Sequence, residues 1–426
     1  MEATPLCRLP QAAESLVRCE RQDRYAKDDS SSICQYRFND RGAAVQRSRI
    51  RKGRNVTGLI VHEWAAQSGG SEKVLEQFVR LFPNSDLQVL WNDTPGRYDV
   101  PTYESWLART PLRRHKALAL PLLPLTWRMI PPRRAYEWML VSSHLFAHHA
   151  RVQHSSDSVP KFVYAHTPAR YLWEPKLDQR GNTSIARGVS AALKPLDRHR
   201  AQEAHKIAAN SRFTADRIAR AWNRDADVIY PPVDTHRLTA LENLYESLAG
   251  AEAATFEALP DEFLLGASRF VSYKRLELVI DAGEACELPV VLAGGGPDRS
   301  KLARRAQNAS VPVTIINAPS DNLLYALMQS AVAYIFPAVE DFGIMPVEAM
   351  SLGTPAIVPQ QGGASESVTL VKGGAILSEN TREGWRTAID EACQVDRAGL
   401  RDRVRRFSNE RFRAEISAWM GVPAID

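Results

Sequence analysis

The feature that most limits how this chain can fold is an alternation of short apolar runs with helical stretches, which occurs twice along the sequence. The apolar runs of the first round lie at residues 58–61, 87–91, 139–142, 162–165, 207–210 and 228–230. Those of the second round lie at residues 263–267, 290–293, 313–316, 332–336, 356–358 and 375–377. Helical stretches such as 71–81 and 214–222 separate them. Strands that alternate with helices form parallel sheets covered on both faces, so we predict an α/β protein with two such sheets.

The two rounds define two domains. Pro231 and Pro232 end the first round, and a stretch rich in Ala and Glu leads into the second, which places the boundary near Thr235. We therefore expect an N-terminal domain at residues 55–235 and a C-terminal domain at residues 236–408. The length of 426 residues leaves room for two sizeable cores.

The first 54 residues differ from the rest in charge. They hold 12 Lys or Arg and 7 Asp or Glu, whereas the remaining chain holds 42 of each kind, so the whole net charge of +5 lies in this segment. It shows no sustained helical or strand period, and we expect a disordered basic tail. A nucleic-acid-binding arm is the disfavoured alternative, and we expect no nucleic-acid partner.

Two carboxylates lie eight positions apart at a strand-to-helix junction late in the chain. The apolar run at 332–336 leads into a loop that carries Glu340, and the following helix carries Glu348 and ends before Gly353. A glycine turn that opens a helix offers free backbone N–H groups to a phosphate, and neighbouring carboxylates accept hydrogen bonds from sugar hydroxyls. The alternative is a solvated loop glutamate followed by a glutamate that is merely favourable near a helix N-terminus.

Other polar or glycine-rich segments also follow apolar runs. They are Gly69-Gly70, the segment from Val163 to Tyr171 that contains His166, the segment from Gly266 to Arg275 that contains Arg269 and Lys274, Gly294-Gly295-Gly296, and Gly362-Gly363 with the later Glu366. Open parallel sheets bind ligands beyond the carboxyl ends of their strands, which is where these segments lie.

Taken in order, these segments resemble the family 4 retaining glycosyltransferases. The junction resembles the E-x7-E signature of that family, and the resemblance extends over residues 57–420. It implies the GT-B architecture, two facing Rossmann-like domains with an interdomain cleft. It also implies that the final helix, at residues 409–426, crosses back to the N-terminal domain.

The resemblance assigns roles to particular residues. It implies that Arg269 and Lys274 hold the donor diphosphate, that Glu340 contacts sugar hydroxyls, and that Glu348 contacts the ribose. His166 would face the sugar as a catalytic residue. The other residues expected at the donor are Gly69, Gly70, Asn317, Ser320, Leu323, Asp341, Phe342, Gly343 and Ile344. Among these, Asn317, Ser320 and Leu323 lie where the family recognises the base.

The implied reaction is the transfer of a hexose to a glycan or lipid-linked glycan. The segment around His166 resembles a branch that includes bacterial polysaccharide mannosyltransferases, which favours mannose from GDP-mannose. Ser268, Gly295 and Ala364-Ser365 depart from the family pattern, so a UDP-hexose donor stays open. A nucleotide-sugar-binding subunit without turnover is a second alternative. An epimerase, a phosphorylase-like enzyme or a Rossmann dehydrogenase is disfavoured because the expected extra residues or the G-x-G-x-x-G motif are missing.

No metal or cofactor is expected, since the nucleotide sugar is itself the substrate. Asp225-Ala226-Asp227 has the spacing of a metal-binding D-x-D motif, but it precedes an apolar run and is typical of a turn.

The segment 109–134 contains seven Lys or Arg and no acid, interleaved with Leu, Trp, Met and Ile. This composition suits an anionic membrane surface, although a surface segment with an ordinary apolar core is equally compatible. No apolar run reaches the ~18 residues of a membrane span. We therefore expect a cytoplasmic protein, with peripheral contact at the inner face of the membrane as a possibility.

Overall fold

The computed structural model describes residues 57–67, 69–153, 159–174 and 184–422. All of these described residues belong to one compact unit. The predicted disordered tail lies outside the described residues.

The first sheet contains seven parallel strands in the order β3-β2-β1-β4-β5-β6-β7. Their bounds are β1 Gly58–His62, β2 Asp86–Val89, β3 Thr102–Glu104, β4 Trp138–Ser143, β5 Lys161–Ala165, β6 Lys206–Ala209 and β7 Asp227–Val228. The central strands are buried along their whole length, which explains why they are nearly continuous apolar runs.

The second sheet contains six parallel strands in the order β10-β9-β8-β11-β12-β13. Their bounds are β8 Leu264–Ala267, β9 Val290–Gly294, β10 Val313–Asn317, β11 Ala333–Ile335, β12 Ala356–Pro359 and β13 Gly374–Leu377. The prediction of two parallel sheets is therefore confirmed.

Helices connect the strands and cover the sheets. Those of the N-terminal half are α1 Gly70–Leu81, α2 Lys116–Ala119, α3 Leu123–Thr126, α4 Arg170–Trp173, α5 Ser184–Ala201 and α6 Arg212–Trp222. Those that follow are α7 Thr235–Thr239, α8 Gly250–Glu257, α9 Glu277–Cys286, α10 Arg299–Gln307, α11 Asp321–Ser330, α12 Ile344–Ser351, α13 Ala364–Val371, α14 Arg382–Cys393, α15 Arg397–Arg403 and α16 Asn409–Met420. None of the helices in the described residues is both long and apolar enough to cross a bilayer.

Two details of the strand prediction were wrong. The edge strand β3 was missed because its three residues are partly exposed and carry no apolar run. The last strand of the first sheet, β7, covers Asp227 and Val228 instead of 228–230. Edge strands are half solvated, so a search for apolar runs finds them less readily than central strands.

The last helix, α16, packs on the N-terminal domain. Phe412 stacks on Phe78 of α1 with 5.6 Å between ring centroids. Trp419 donates its indole N–H to Asp227 at 2.9 Å. The two chain segments that link the domains lie side by side, because the backbone N–H of Val233 donates to the carbonyl of Phe407 at 2.8 Å.

The order of the strands locates the places where ligands can bind. In the first sheet the direction of winding reverses between β1 and β4, and in the second it reverses between β8 and β11. The crevice at such a switch point lies beyond the carboxyl ends of its two strands. Arg269 follows β8, and the loop with Glu340 follows β11, so both belong to the second switch point.

Candidate functional site

The loop between β11 and α12 carries Glu340 and Asp341 and is shaped by glycines. Gly343 has φ of 84°, a left-handed conformation that suits glycine, and α12 begins at the next residue. The backbone N–H of Gly363 donates to the carbonyl of Glu340 at 2.8 Å. A Cβ at Gly363 would lie 1.9 Å from the carbonyl oxygen of Asp341, so this close approach requires glycine.

Lys274 and Glu340 form an ion pair across the second switch point. Their side chains are 10% and 23% exposed, so most of the pair is shielded from solvent. Arg269, which also follows β8, donates to the hydroxyl of Tyr273 at 2.7 Å. Three of the four predicted catalytic residues thus lie on two adjacent loops.

Glu348 on α12 is paired with a residue of the other domain. Its Oε1 lies 2.6 Å from Nζ of Lys73, which follows the Gly69-Gly70 turn on α1. Burial acts to lower the pKa of Lys73, but the charge and the hydrogen bond of Glu348, together with smaller effects of Tyr325 and Asp321, outweigh it, so the pKa is raised. Gly70 approaches the same helix, because a Cβ there would lie 2.9 Å from Cδ1 of Ile344. The structure therefore brings the predicted glycine turn against the start of α12.

Asp341 accepts hydrogen bonds from two arginines of the N-terminal domain. Arg170 donates to Oδ2 through Nε at 3.0 Å and through Nη2. Arg217 donates to Oδ1. The hydroxyl of Ser211 donates to the backbone carbonyl of Asp341. The carboxylate of this predicted donor-binding residue is thus engaged by the protein itself.

A second contact joins the domains at α13. The carboxylate of Glu366 accepts the backbone N–H groups of Arg212 and Phe213, each at 2.8 Å. These N–H groups belong to the first turn of α6, where a negative charge is favourable. Tyr230 also donates its hydroxyl to Glu366 at 3.2 Å.

His166 lies just after β5 in a partly buried polar group. Its Nε2 lies 2.8 Å from Oγ of Ser142, and the same hydroxyl lies 2.9 Å from Nδ1 of His62. Burial, with a smaller contribution from His144, lowers the pKa of His166 to about 3. The ring is therefore neutral at physiological pH and acts here by hydrogen bonding. The backbone carbonyl of His166 accepts from Nδ2 of Asn210 at 3.0 Å.

The residues predicted to recognise the base lie at the end of β10 and the start of α11. Ser320 caps α11 by accepting from the N–H of Leu323 at 3.2 Å, and its hydroxyl donates to Glu252 at 2.7 Å. The side chain of Leu323 is buried in the hydrophobic core of the C-terminal domain, whereas Asn317 is exposed. Helix α11 nevertheless lies close to the site. Burial, and then the charge of Glu348, raise the pKa of Tyr325 on this helix.

Sequence reasoning missed Lys73, Arg217 and Ser142. Arg217 carried a usable signal, because it lies on the same face of α6 as the buried residues Thr214, Ile218 and Ala221. A charged residue on the buried face of an amphipathic helix needs a partner, which here is Asp341. Lys73 carried no such signal, since its partner lies 275 residues away.

One group of possible metal ligands occurs among the described residues, formed by His148, His149 and Asp197. The indole N–H groups of Trp173 and Trp222 donate to Oδ2 of Asp197 at 2.7 and 2.8 Å. Nε2 of His149 lies 3.0 Å from Oδ1. Because N–H donors surround the carboxylate, the group is explained as a buried hydrogen-bond network.

Known proteins resemble this chain in sequence and in fold. A family model of glycosyl transferases group 1 matches residues 252–410, which include Arg269, Lys274, Glu340 and Glu348. The chain is 29% identical over 175 residues to the O-antigen chain mannosyltransferase C of Escherichia coli, with 39% of this chain and 47% of that protein covered. It is 30% identical over 158 residues to the GDP-mannose-dependent alpha-(1-6)-phosphatidylinositol dimannoside mannosyltransferase of Mycobacterium tuberculosis, with 36% and 40% covered.

The fold also has relatives among solved structures. The crystal structure of Anabaena HepE in complex with UDP matches with a TM-score of 0.61 at 16% identity, covering 86% of this chain and 100% of HepE. At that identity the likeness supports the fold, which is the predicted GT-B architecture. Residues 252–410 are thus similar to glycosyl transferases group 1, and the chain is similar at modest identity to mannosyltransferases. The chain spans about half the length of the curated relatives it matches.

Proposed function

We propose that this chain is a retaining glycosyltransferase that transfers a hexose from a nucleotide sugar to a glycan or a lipid-linked glycan. The observation that carries the proposal is the grouping of Lys274, Glu340 and Glu348 where α1 of the other domain meets α12. Cations at this place suit a diphosphate, and carboxylates suit the hydroxyls of a sugar and a ribose.

Each residue has a chemical task in this proposal. Arg269 and Lys274 stabilise the negative charge that develops on the leaving diphosphate. Backbone N–H groups of Phe342, Gly343 and Ile344 bind sugar or phosphate oxygens near the start of α12. Glu340 accepts hydrogen bonds from the sugar, and Glu348 accepts them from the ribose. Gly69 and Gly70 allow the donor or the acceptor to approach the backbone closely.

Retention of configuration requires the acceptor to attack the face that the diphosphate leaves. We propose that the leaving phosphate takes the proton of the acceptor hydroxyl, which forms the new glycosidic bond as the sugar–phosphate bond breaks. The sugar passes through an oxocarbenium-like state while the sugar–phosphate bond breaks and before the glycosidic bond is complete. His166 steadies that charge by its neutral ring and its carbonyl, since its lowered pKa of about 3 leaves the ring unprotonated at physiological pH and makes it a weak base. No metal or cofactor takes part in this proposal.

GDP-mannose is the donor that we propose. Its support is the relationship to mannosyltransferases, one of which is named as GDP-mannose-dependent. A UDP-hexose is the alternative, because HepE, which has the same fold, was crystallised with UDP. A binding subunit without turnover is the second alternative.

A thermal-shift panel of nucleotide sugars in the presence of EDTA tests donor binding. We expect GDP-mannose to raise the melting temperature of the wild type and to fail to do so for Glu348→Gln. Glu246→Gln is the matched control, because Glu246 is an exposed glutamate that bonds Tyr245 outside the site. If only a UDP-hexose stabilises the protein, the donor is that UDP-hexose and GDP-mannose is excluded. Binding that needs a divalent cation would contradict metal independence.

Turnover and stereochemistry need a second measurement. We expect NMR of the product to show the anomeric configuration of the donor. An inverted product would contradict the retaining mechanism. Donor binding with neither transfer nor hydrolysis, over a panel of glycan and lipid-linked acceptors, would favour the binding subunit.

We also propose that the segment 109–134 and its neighbour Trp106 contact an anionic membrane. Four of the six large apolar side chains that are exposed in the described residues lie here, namely Trp106, Leu118, Leu125 and Met129. The basic residues divide into three groups. Arg113, Arg128 and Arg134 pair with acids elsewhere in the domain. Lys116 and Arg133 lie over the aromatic rings of Trp64 and Tyr103. Arg109 and Arg114 form no ion pair with another described residue. Exposed apolar tips beside unpaired cations suit anionic headgroups.

Sedimentation with vesicles tests the membrane proposal. We expect binding to phosphatidylcholine vesicles that contain phosphatidylglycerol and little binding to phosphatidylcholine alone. The pair of substitutions Leu118→Ser and Leu125→Ser should weaken binding by at least about tenfold, because the loss of even two buried methylene groups at ~0.8 kcal/mol each exceeds the ~1.4 kcal/mol of a tenfold change. Tyr245→Ser removes an exposed apolar side chain elsewhere and should leave binding unchanged. If Tyr245→Ser weakened vesicle binding as much as the paired leucine substitutions, the result would contradict binding through the segment 109–134.

A further inference from the structure

Asp341 is a buried carboxylate at the boundary of the two domains. Its side chain is 11% exposed, and that of Arg217 is 3% exposed. Arg170 donates to Oδ2 through two nitrogen atoms, so the direction of its guanidinium relative to the carboxylate is fixed. Arg217 reaches Oδ1 from a different helix and also donates to the hydroxyl of Thr167 at 2.9 Å. We call these three charged residues the arginine clamp.

The arginine clamp holds more positive than negative charge. Two guanidinium groups share one carboxylate, and the only other acid within 4 Å of either guanidinium among the described residues is Glu174, whose Oε1 lies 3.8 Å from Nε of Arg217. Burial lowers the pKa of Arg217, and Asp341 opposes that effect. Removal of the carboxylate would therefore leave two cations facing each other away from water.

Consecutive residues of one loop are held by different domains. Glu340 is paired with Lys274 of its own domain, and Asp341 is held by Arg170 and Arg217 of the other. The backbone adds a further contact, since Ser211 donates to the carbonyl of Asp341. Any movement of the N-terminal domain relative to this loop would be transmitted to Glu340 through one peptide unit.

We propose that Asp341 is a positioning residue, through which Arg170 and Arg217 of the N-terminal domain set the orientation of the loop that carries Glu340. This role replaces the donor contact that the sequence predicted for Asp341, because its two carboxylate oxygens are occupied by the clamp. The inference rests on the proposed function for its effect on turnover, but the ordering of the loop is independent of any donor.

Hydrogen exchange measured by mass spectrometry tests the ordering of the loop in the full chain without donor. We expect amides of residues 336–343 to exchange about tenfold faster in Asp341→Asn than in the wild type, with unchanged rates in the strands of both sheets. Asp93→Asn is the matched control, because Asp93 pairs with Arg113 on the surface of the N-terminal domain. Unchanged exchange in the loop would overturn the proposal.

A second variant tests the same contact in case Asp341→Asn fails to fold. Arg170→Lys keeps the positive charge but loses the two-nitrogen contact, so it should loosen the loop to a smaller degree. The double variant Asp341→Asn, Arg170→Lys should exchange no faster than Asp341→Asn alone, because both changes break one unit. Additive effects would overturn the clamp as a unit.

Kinetics separates a positioning residue from a structural one. We expect Asp341→Asn to lower kcat about tenfold. The Kd for GDP, or for UDP if the donor is a UDP-hexose, should stay within about threefold of the wild-type value. Parallel loss of both, in proportion to the folded fraction, would indicate a structural role and overturn the proposal. A wild type that neither binds nor turns over any nucleotide sugar would refute the proposed function. The hydrogen-exchange measurement would still test whether the arginine clamp orders the loop.

Discussion

The carboxylate of Glu348 is already bound to Lys73 in this structure. A nucleotide-sugar donor must therefore displace this lysine or bind beside it. Lys73 lies 2.6 Å from its carboxylate, and the Lys73 side chain is about half exposed whereas that of Glu348 is buried. A carboxylate has two oxygens and about four lone-pair sites, so Glu348 can keep Lys73 and still accept a ribose hydroxyl. At the residue scale, the contact between the domains and the proposed ribose contact therefore share one side chain.

Glu340 provides a sharper prediction at the same scale. Glu340→Gln keeps the size of the side chain but removes the charge that pairs with Lys274. If the carboxylate stabilises the transition state, kcat per folded molecule should fall by roughly 100-fold. The melting temperature should also fall, because the shielded Lys274 loses its charged partner. Steady-state kinetics with the donor found in the panel checks this, and Glu246→Gln provides the unaffected reference. A change in KM alone would contradict the catalytic role.

At the scale of elements, the loop before α12 depends on the glycines before α13. Gly363 has a φ that any residue adopts, so only its close contact with the carbonyl of Asp341 excludes a side chain. The β11–α12 and β12–α13 loops therefore pack backbone against backbone.

Gly363→Ala should push the Glu340 loop away and destabilise the protein by about 1–3 kcal/mol, as overpacking does. Gly295→Ala is the matched control, because its nearest neighbour beyond the adjacent residues lies 3.6 Å from the added Cβ. Urea unfolding should show the loss for Gly363→Ala and little change for Gly295→Ala. Similar values for both would show that the close contact relaxes without cost.

Asp197 joins several elements of the N-terminal domain. It lies on α5, and its carboxylate receives N–H groups from Trp173 on α4, Trp222 on α6 and His149 after β4. Asp197→Ala would leave these buried donors without an acceptor and should lower the free energy of unfolding by about 3–5 kcal/mol. Asp216→Ala, an exposed position on α6, should cost far less in the same urea titration. A small effect of Asp197→Ala would indicate that water replaces the carboxylate.

At the scale of the whole molecule, buried neutral histidines link stability to pH. Burial lowers the pKa of His166 to about 3 and that of His149 to about 4, and it holds the pKa of His62 well below its usual value. The unfolded chain binds a proton at each histidine near pH 6.5, whereas the folded chain does not. Stability is therefore fully present above about pH 6.5 and is lost as the pH falls towards the folded pKa.

We expect the free energy of unfolding to fall by about 1.4 kcal/mol per pH unit for each such histidine between pH 6 and pH 5. His166→Gln should reduce that slope by the contribution of one proton, about 1.4 kcal/mol per pH unit, because Gln does not titrate. Urea titrations at pH 7, 6 and 5 measure the slope directly. His236→Gln is the control, since His236 is exposed on α7. An unchanged slope in His166→Gln would show that His166 is protonated in the folded protein.

The sequence by itself determined the order of strands and helices, the two parallel sheets, the placement of Arg269, Lys274 and Glu340 on loops, and the placement of Glu348 on the helix that follows. These features depend on neighbours along the chain, because apolar runs, glycine turns and helix ends are local patterns. The resemblance to a known family added the facing arrangement of the domains, which the fold comparison confirms.

Only the tertiary structure decided which charges meet. Lys73 and Glu348 are 275 positions apart, and Arg217 and Asp341 are 124 positions apart, so no local pattern joins them. The sequence prediction placed Asp341 at the donor, whereas its carboxylate contacts two arginines. The physical reason is that a buried charge takes the partner that domain packing brings within reach, and packing depends on both cores at once.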